Sequence, residues 1–427
     1  MAMPLNAPIN MFQLRNHEFT GSGSALGRRT FLHCSPVYAR ASVATAKTEF
    51  CRYKVLGEGT PKHACAARQN FVGIVERGEA VIDLARAALY IAAEDDALVT
   101  HSAVELPVEQ YTKRLESFAT EIARHYIPAL GSNPTADKVI SVVDDYLFGV
   151  HKFQACGRSS ELAYGDVLDH PGVWEDARDS YLNAVLTRRR GSPAAIAILY
   201  ADVMQRLLLK GSVDFAVRMQ LPDTADAMPS PQVLPMIRRQ DVVIDEDAGI
   251  LLNTCTSEAL VQMLRHLKRA YWPMQWDTRA DNPDHGVHGS GGGFLEASRF
   301  ALGEVEMDAY TTVVSRTAKH RLDRGIWTST GAGDMRRARA ACEKLVLLAA
   351  EENPTERRDL AALLVLTGDL GWAEYELQQY LEAPEELQSQ DPTEKQLAAD
   401  LYKHVKAEIA AGAPLVAPPP PPPSIPW

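Results

Sequence analysis

Apolar positions recur every three to four residues over most of this chain, a spacing that predicts a mainly helical protein. The densest case is SYLNAVLTRRRGSPAAIAILYADVMQRLLLKG, residues 180–211. Leu182, Val185 and Leu186 predict one helix over 180–190. Arg188, Arg189 and Arg190 fall in its last turn, where cations suit the helix dipole, and Gly191 is placed to take a left-handed stop. Ser192 stands where an N-cap belongs, and Pro193 at the first position of the next helix. Ile196, Leu199, Tyr200, Val203, Leu207 and Leu208 then form one stripe, so this second helix is expected to be central and buried.

Before that stretch the helical pattern begins at Gly78. Val81, Leu84, Ala85, Ala88, Leu89 and Ala92 line one helix. Tyr111, Leu115, Phe118 and Ile122 line a second, opened by Pro107, and Val139, Val142, Val143, Tyr146 and Leu147 a third within 133–148. Three apolar faces predict a helical layer packed on a core. After it, residues 213–221 alternate: Val213, Phe215, Val217, Met219 and Leu221 against Asp214, Ala216, Arg218 and Gln220, the pattern of a strand buried on one face. Pro222, Pro229, Pro231 and Pro235 mark a long loop, and 241–244 with 250–252 read as a hairpin. Thr256 or Ser257 caps another helix, with Leu260, Leu264, Leu267 and Tyr271 on its stripe. Its Arg265, His266, Lys268 and Arg269 predict a solvated basic face, or one that meets an acidic partner. Trp272 and Trp276 follow, placed to pin that helix to the core.

Residues 281–293 are a Gly-rich loop, and helix returns from Phe294, with a run around Tyr310, Val313, Val314 and Thr317. From Asp334 helices alternate with turns: Ala338, Ala341, Cys342, Leu345 and Leu348 to Asn353-Pro354, then Leu360, Leu363, Leu364 and Leu366 to Gly368, then Tyr375, Leu377, Tyr380 and Leu381. This punctuation resembles tetratricopeptide repeats of about 34 residues, of which one to two units are visible. An unbroken proline run, 418–423, predicts an extended polyproline tail.

The segment from Tyr181 through the Gly-x-Pro break to Leu209 also resembles the core signature of the SirB-type branch of the transglutaminase-like family. IDLARAALYIAAEDD is similar to that family's leading helix, VVIDEDAGILL to its Ile-Asp-x-x-x-Gly-x-Leu-Leu segment, and QMLRHLKRAYW to the link between its core and its repeat tail. The resemblance covers roughly residues 78–272. It implies an α+β, mostly helical fold: a papain/transglutaminase-like core with a helical N-terminal layer and tetratricopeptide-like C-terminal helices. The organisation expected is a transit or disordered segment 1–48, a helical layer 70–150, the core 151–275, a flexible loop 276–293, a helical tail 294–410 and a proline-rich end 411–427. In catalytic relatives a Cys opens the central helix, and a His and an Asp come from two following strands. Here no Cys lies between Cys156 and Cys255, and no His between His170 and His266. The first turn offers Ser192, Ala194 and Ala195, and Asp245 alone matches by position. As an N-cap, Ser192 has its hydroxyl committed to the backbone. No catalytic, cofactor-binding or metal residue is therefore assigned.

Composition narrows the picture further. The 427 residues carry a net charge of −11, which disfavours nonspecific nucleic-acid binding, and no apolar run is long enough to span a membrane. Residues 1–47 hold Arg15, Arg28, Arg29, Arg40 and Lys47 against the single acid Glu18, the composition of an organellar transit peptide, plastid before mitochondrion. Six irregularly spaced Cys in a chain this long do not suggest a secreted disulfide scaffold. Cys51, His63 and Cys65 lack a second closely spaced pair, His285 and His288 lie with two Asp residues in a Gly-rich loop that cannot preorganise a metal's ligands, and Cys156 reads as structural. No phosphate loop or dinucleotide fingerprint is present. The expectation is a non-catalytic chloroplast protein, stromal, that binds an unknown protein partner through its C-terminal helices or proline-rich tail. The alternative is a cysteine-dependent hydrolase or acyltransferase with a relocated site using Cys156 or Cys255. A redox role for the free Cys is a third.

Overall fold

A computed structural model describes residues 61–77, 82–100, 104–131, 134–156, 177–221, 228–234, 243–245, 249–251, 257–271, 291–303 and 332–412. All belong to one compact unit, 46–427. It is mostly helical with few strands.

The first helix is α1 (Lys62–Val75), in a stretch where the apolar pattern predicts none. Its Ala64, Ala67, Phe71, Val72 and Val75 are buried, but Arg68 sits among them and breaks the apolar stripe. α1 packs along α2 (Leu84–Thr100), and α2 touches α3 (Val108–Glu121). α3 widens into a π-helical turn, Ile122–Tyr126, and α4 (Ala136–Asp144) into another, Asp145–Val150. The predicted layer residues Leu115, Phe118, Ile122, Val139, Val143, Tyr146 and Leu147 are buried; Tyr111 and Val142 are partly so.

α5 (Leu182–Arg188) follows a 3-10 turn, Ala177–Ser180. Its left-handed stop is Arg189, at φ 60°, not Gly191. Gly191 is needed for closeness instead: a Cβ there would meet Val185 Cγ2 at 2.6 Å and Asp179 O at 3.3 Å. β2 (Arg190–Gly191) pairs in parallel with β1 (Gln154–Ala155). Then comes α6 (Pro193–Leu209), with Pro193 in its first turn and Ser192 as N-cap. Its predicted stripe is buried, and so are Ala194, Ala195, Ala197, Ile198, Ala201 and Met204. The helix is covered nearly all round because α2, α3, α5, β3 (Ala216–Gln220) and α7 (Glu258–Tyr271) pack against it. At about 1.5–3 kcal/mol for each large apolar side chain removed from water, it dominates the stability of this region.

β3 begins three residues later than the alternation predicts, and Ala216 faces inward with Val217, so the inside–outside pattern is kept only from Val217 to Gln220. The proline-marked loop contains β4 (Ser230–Leu234), antiparallel to β3 with Met219 opposite Pro231. Pro lacks an N–H, and an outer strand of a two-stranded pair tolerates that. β5 (Val243–Asp245) and β6 (Gly249–Leu251) form the expected hairpin. Among the described residues the strands make three separate pairs.

Helix resumes at α8 (Gly291–Ala301), inside the Gly-rich stretch. The run around Tyr310 lies outside the described residues, as do Trp272, Trp276, His285, His288, residues 1–60 and the proline run. α9 (Ala332–Ala349), α10 (Thr355–Leu366), α11 (Leu370–Glu382) and α12 (Pro392–Ala410) stack in sequence, each on the next. α9 lies along α7, and α8 packs on α10 and α12. One hydrophobic core runs without a break from Phe71 in α1 to Val405 in α12.

Candidate functional site

The start of α6 is where the resemblance to transglutaminase-like proteins implies a nucleophile, so its surroundings bear on what chemistry is available. The β1–β2 ladder brings residues 154–156 to this point: the Gln154 amide donates to Arg189 O at 2.9 Å and the Cys156 amide to Gly191 O at 2.7 Å. The Ser192 amide donates to Asp179 O at 2.6 Å. Ser192 is 5% exposed, and its Oγ accepts from the Ala195 amide at 3.3 Å. Its hydroxyl oxygen therefore caps the helix, as the Ser-Pro pair predicts.

Cys156 is the one described thiol near this point, and it came here through a strand pairing that sequence spacing does not reveal. Its Sγ lies 4.0 Å from Gln154 O. Burial, and next the Asp179 carboxylate, push its pKa up; Arg190 pulls the other way without prevailing. A nucleophilic Cys needs the reverse, a stabilised thiolate. The Asp179 carboxylate is itself taken, by Arg188 at 3.1 Å and Arg190 at 3.6 Å.

Two imidazoles are close in the fold. His151 packs between aromatic rings, its centroid 4.5 Å from Tyr146 and 4.9 Å from Phe118. Burial first, then Arg189, holds its pKa below the ordinary value. His266 comes from α7, and its Nδ1 is 2.8 Å from Ser180 Oγ. Neither ring hydrogen-bonds to Cys156 among the described residues. Asp245 ends β5 opposite Gly249; its side chain lies outside the described set, as do Cys51, Cys255 and His170. His63 pairs with Glu105 at 2.6 Å, away from any metal-like grouping, and no cluster of three potential ligands occurs among the described residues.

Elsewhere two perturbed groups border cavities. Asp202 on α6 is raised to about 6 by burial, against the pull of Arg206 at 2.6 Å. The cavity beside it, between α2 and α6, measures about 10 Å³. Lys344 on α9 borders a second cavity of about 10 Å³ with Glu94, Asp95 and Tyr181. Each admits a water-sized centre and no substrate.

The charged residues that matter most were not read as such from the sequence. Arg68, 0% exposed, donates to Glu94 at 2.5 and 2.7 Å and to Glu343 at 2.8 Å, joining α1, α2 and α9. Lys344 reaches Glu94 at 2.8 Å. Arg337 on α9 makes two 2.6 Å bonds to Asp95 and lies 3.7 Å from the Tyr271 ring centroid. Lys268 on α7 donates to Glu356 at 2.6 Å and Asp359 at 2.9 Å on α10, and Arg265 to Glu356 at 2.8 Å. The supposedly solvated basic face of α7 is thus in large part an internal joint whose acidic partner is the chain's own tail. Arg358, 0% exposed, bonds Asp359 and Glu394 and lies over Phe294, tying α8, α10 and α12. A signal did exist: Glu94, Lys268 and Lys344 each fall at helical spacing within an apolar stripe, where a charge must find a partner.

A model of the transglutaminase-like superfamily matches residues 109–216. The chain thus carries a transglutaminase-like domain running from α3 to the start of β3, with the α6 N-terminus inside it. No curated protein and no solved structure gives a significant match.

Proposed function

We propose that this transglutaminase-like domain is non-catalytic and that the protein acts by binding another protein. The observation that carries the reading is the state of the α6 N-terminus. The hydroxyl there caps the helix, the neighbouring thiol is pushed toward its neutral form, and the nearest carboxylate is engaged by two arginines. Catalysis by Cys, His and Asp needs all three in mutual reach. The SirB-type resemblance, the tetratricopeptide-like character of the tail and action in the chloroplast belong to the same proposal. They rest on the sequence patterns of 180–211, 334–381 and 1–47.

The test is an assay of the purified full-length chain for amide, ester and thioester hydrolysis and for amine acyl transfer. No turnover above background is expected, and none that Cys156→Ala or Ser192→Ala changes. Turnover abolished by either substitution overturns the reading. A fluorescent fusion of residues 1–60 tests the address: cytosolic signal removes the plastid element.

One contact favours a second reading, a serine hydrolase. The Ser180 Oγ–His266 Nδ1 bond of 2.8 Å has nucleophile–base geometry. Ser180 is 0% exposed, so substrate access weighs against it. Labelling by a fluorophosphonate that disappears in Ser180→Ala would establish it.

A further inference from the structure

We propose that the basic corner where β1 meets β2 is a docking surface for an acidic segment of a partner protein. The inference rests on the interaction reading above and gives it a location and a chemistry.

Among the described residues, two that are not glycine have positive φ: Lys152 at 57° and Arg189 at 60°. A side chain with a Cβ is disfavoured there, and glycine is the residue that relieves it. Both positions instead hold an exposed cation. They flank a single ladder, since Gln154 stands opposite Arg190 and its amide bonds Arg189 O at 2.9 Å. Strain kept at two adjoining positions, both basic, points to a use for the side chains.

A third cation joins them. Arg114 on α3 lies 5.8 Å from the Phe118 ring centroid, and that ring is 4.9 Å from His151. Arg114 thus reaches, through the Phe118 ring, the His151 that precedes Lys152 in the chain. Arg114, Lys152 and Arg189 form no ion pair with any described acid, whereas Arg188 and Arg190 beside them are held by Asp179. The Glu121 carboxylate also acts on His151, and it accepts from the Tyr146 hydroxyl at 2.8 Å. Val150, 57% exposed, adds an apolar contact.

Three cations without an ion pair among the described residues, against the Glu121 carboxylate, make a small basic island on a chain of net charge −11. A nucleic acid needs a broader basic footprint and is repelled by the remainder. A short peptide carrying a few carboxylates and an apolar residue matches the island in size and sign.

The experiment uses full-length protein and a fluorescein-labelled peptide of Glu-Asp-Leu repeats, read by anisotropy at low and physiological salt. A single-stranded oligonucleotide and a Lys-Ser-Leu peptide are the comparison probes. Binding of the acidic peptide, weakened by salt, is expected. The combined variant Arg114→Gln, Lys152→Gly, Arg189→Gly should bind at least tenfold more weakly. Its glycines suit the backbone, so thermal unfolding should show it folded. Equal binding by wild type and variant, no binding at low salt, or preference for the oligonucleotide overturns the proposal. Enzymatic turnover in the assays above would strike the non-catalytic reading and leave this binding result to be judged separately.

Discussion

The α6 N-terminus and the joint between the core and the tail use polar groups in opposite ways. At the helix start, polar groups are few and engaged locally: a hydroxyl caps its own helix, and a carboxylate binds arginines nine and eleven residues on. At the joint, charges come from segments far apart in the chain and meet in the interior. Lys268 bonds residues 88 and 91 positions away, and Arg68 one 275 away. Buried pairs of this kind add little net stability over well-packed apolar groups, but removing one partner strands the other. The comparison teaches that the charged groups of the joint align helices from distant parts of the chain.

The strongest way to break that contrast is Lys268→Met. It leaves Glu356 with Arg265 and Asp359 with Arg358, yet removes the cation bridging both carboxylates. A loss of about 3–5 kcal/mol is expected in urea unfolding. A loss under about 0.5 kcal/mol would mean the joint is held by packing alone.

Next in size is a pH effect at Lys344. Burial first, then Arg68, lowers its amine to about 8, against the attraction of Glu94. A lysine lowered on folding binds its proton less readily in the native state than in the unfolded one. The resulting penalty is full below pH 8 and fades as pH rises from about 8 toward the unfolded value of about 10.4. The wild type should therefore gain up to roughly 3 kcal/mol over that window relative to Lys344→Met. Parallel stability curves for the two proteins would refute the lowered amine.

Arg337→Lys should cost about 1–2 kcal/mol, because it forfeits the two-pronged bond to Asp95 and the stack on Tyr271. Ser192→Ala should cost about 1 kcal/mol and Ser192→Gly only a few tenths, the ordering of an N-cap. A loss several times larger would give that hydroxyl a second role. Smallest of all, iodoacetamide at neutral pH should modify Cys156 more slowly than an unfolded-peptide thiol, since its pKa is raised.

Helical periodicity made much of this fold legible. The α6 stripe, its Ser192 cap and Pro193 start, the faces of α3 and α4, the β5–β6 hairpin and the α7 stripe are all visible in one-dimensional spacing, because each is governed by residues within a turn or two. α1 was missed because Arg68 interrupts its apolar face, and β4 because prolines signal loops unless a partner strand is known. Conformational preference points to Gly191 as the left-handed residue; steric closeness to Val185 requires that glycine instead, and Arg189 carries the turn.

The candidate site divides the same way. The chain's order of residues alone settled that no Cys or His stands in the segment where the transglutaminase-like pattern wants them. It also settled that Ser192 would cap a helix, since capping is a local hydrogen bond. Only the tertiary structure brought Cys156 beside Gly191, set Ser180 against His266, laid the Phe118 ring between Arg114 and His151, and turned the basic face of α7 inward onto Glu356 and Asp359. Whether a charge faces water or a buried partner depends on elements that meet across many tens of residues, and no local pattern holds that information.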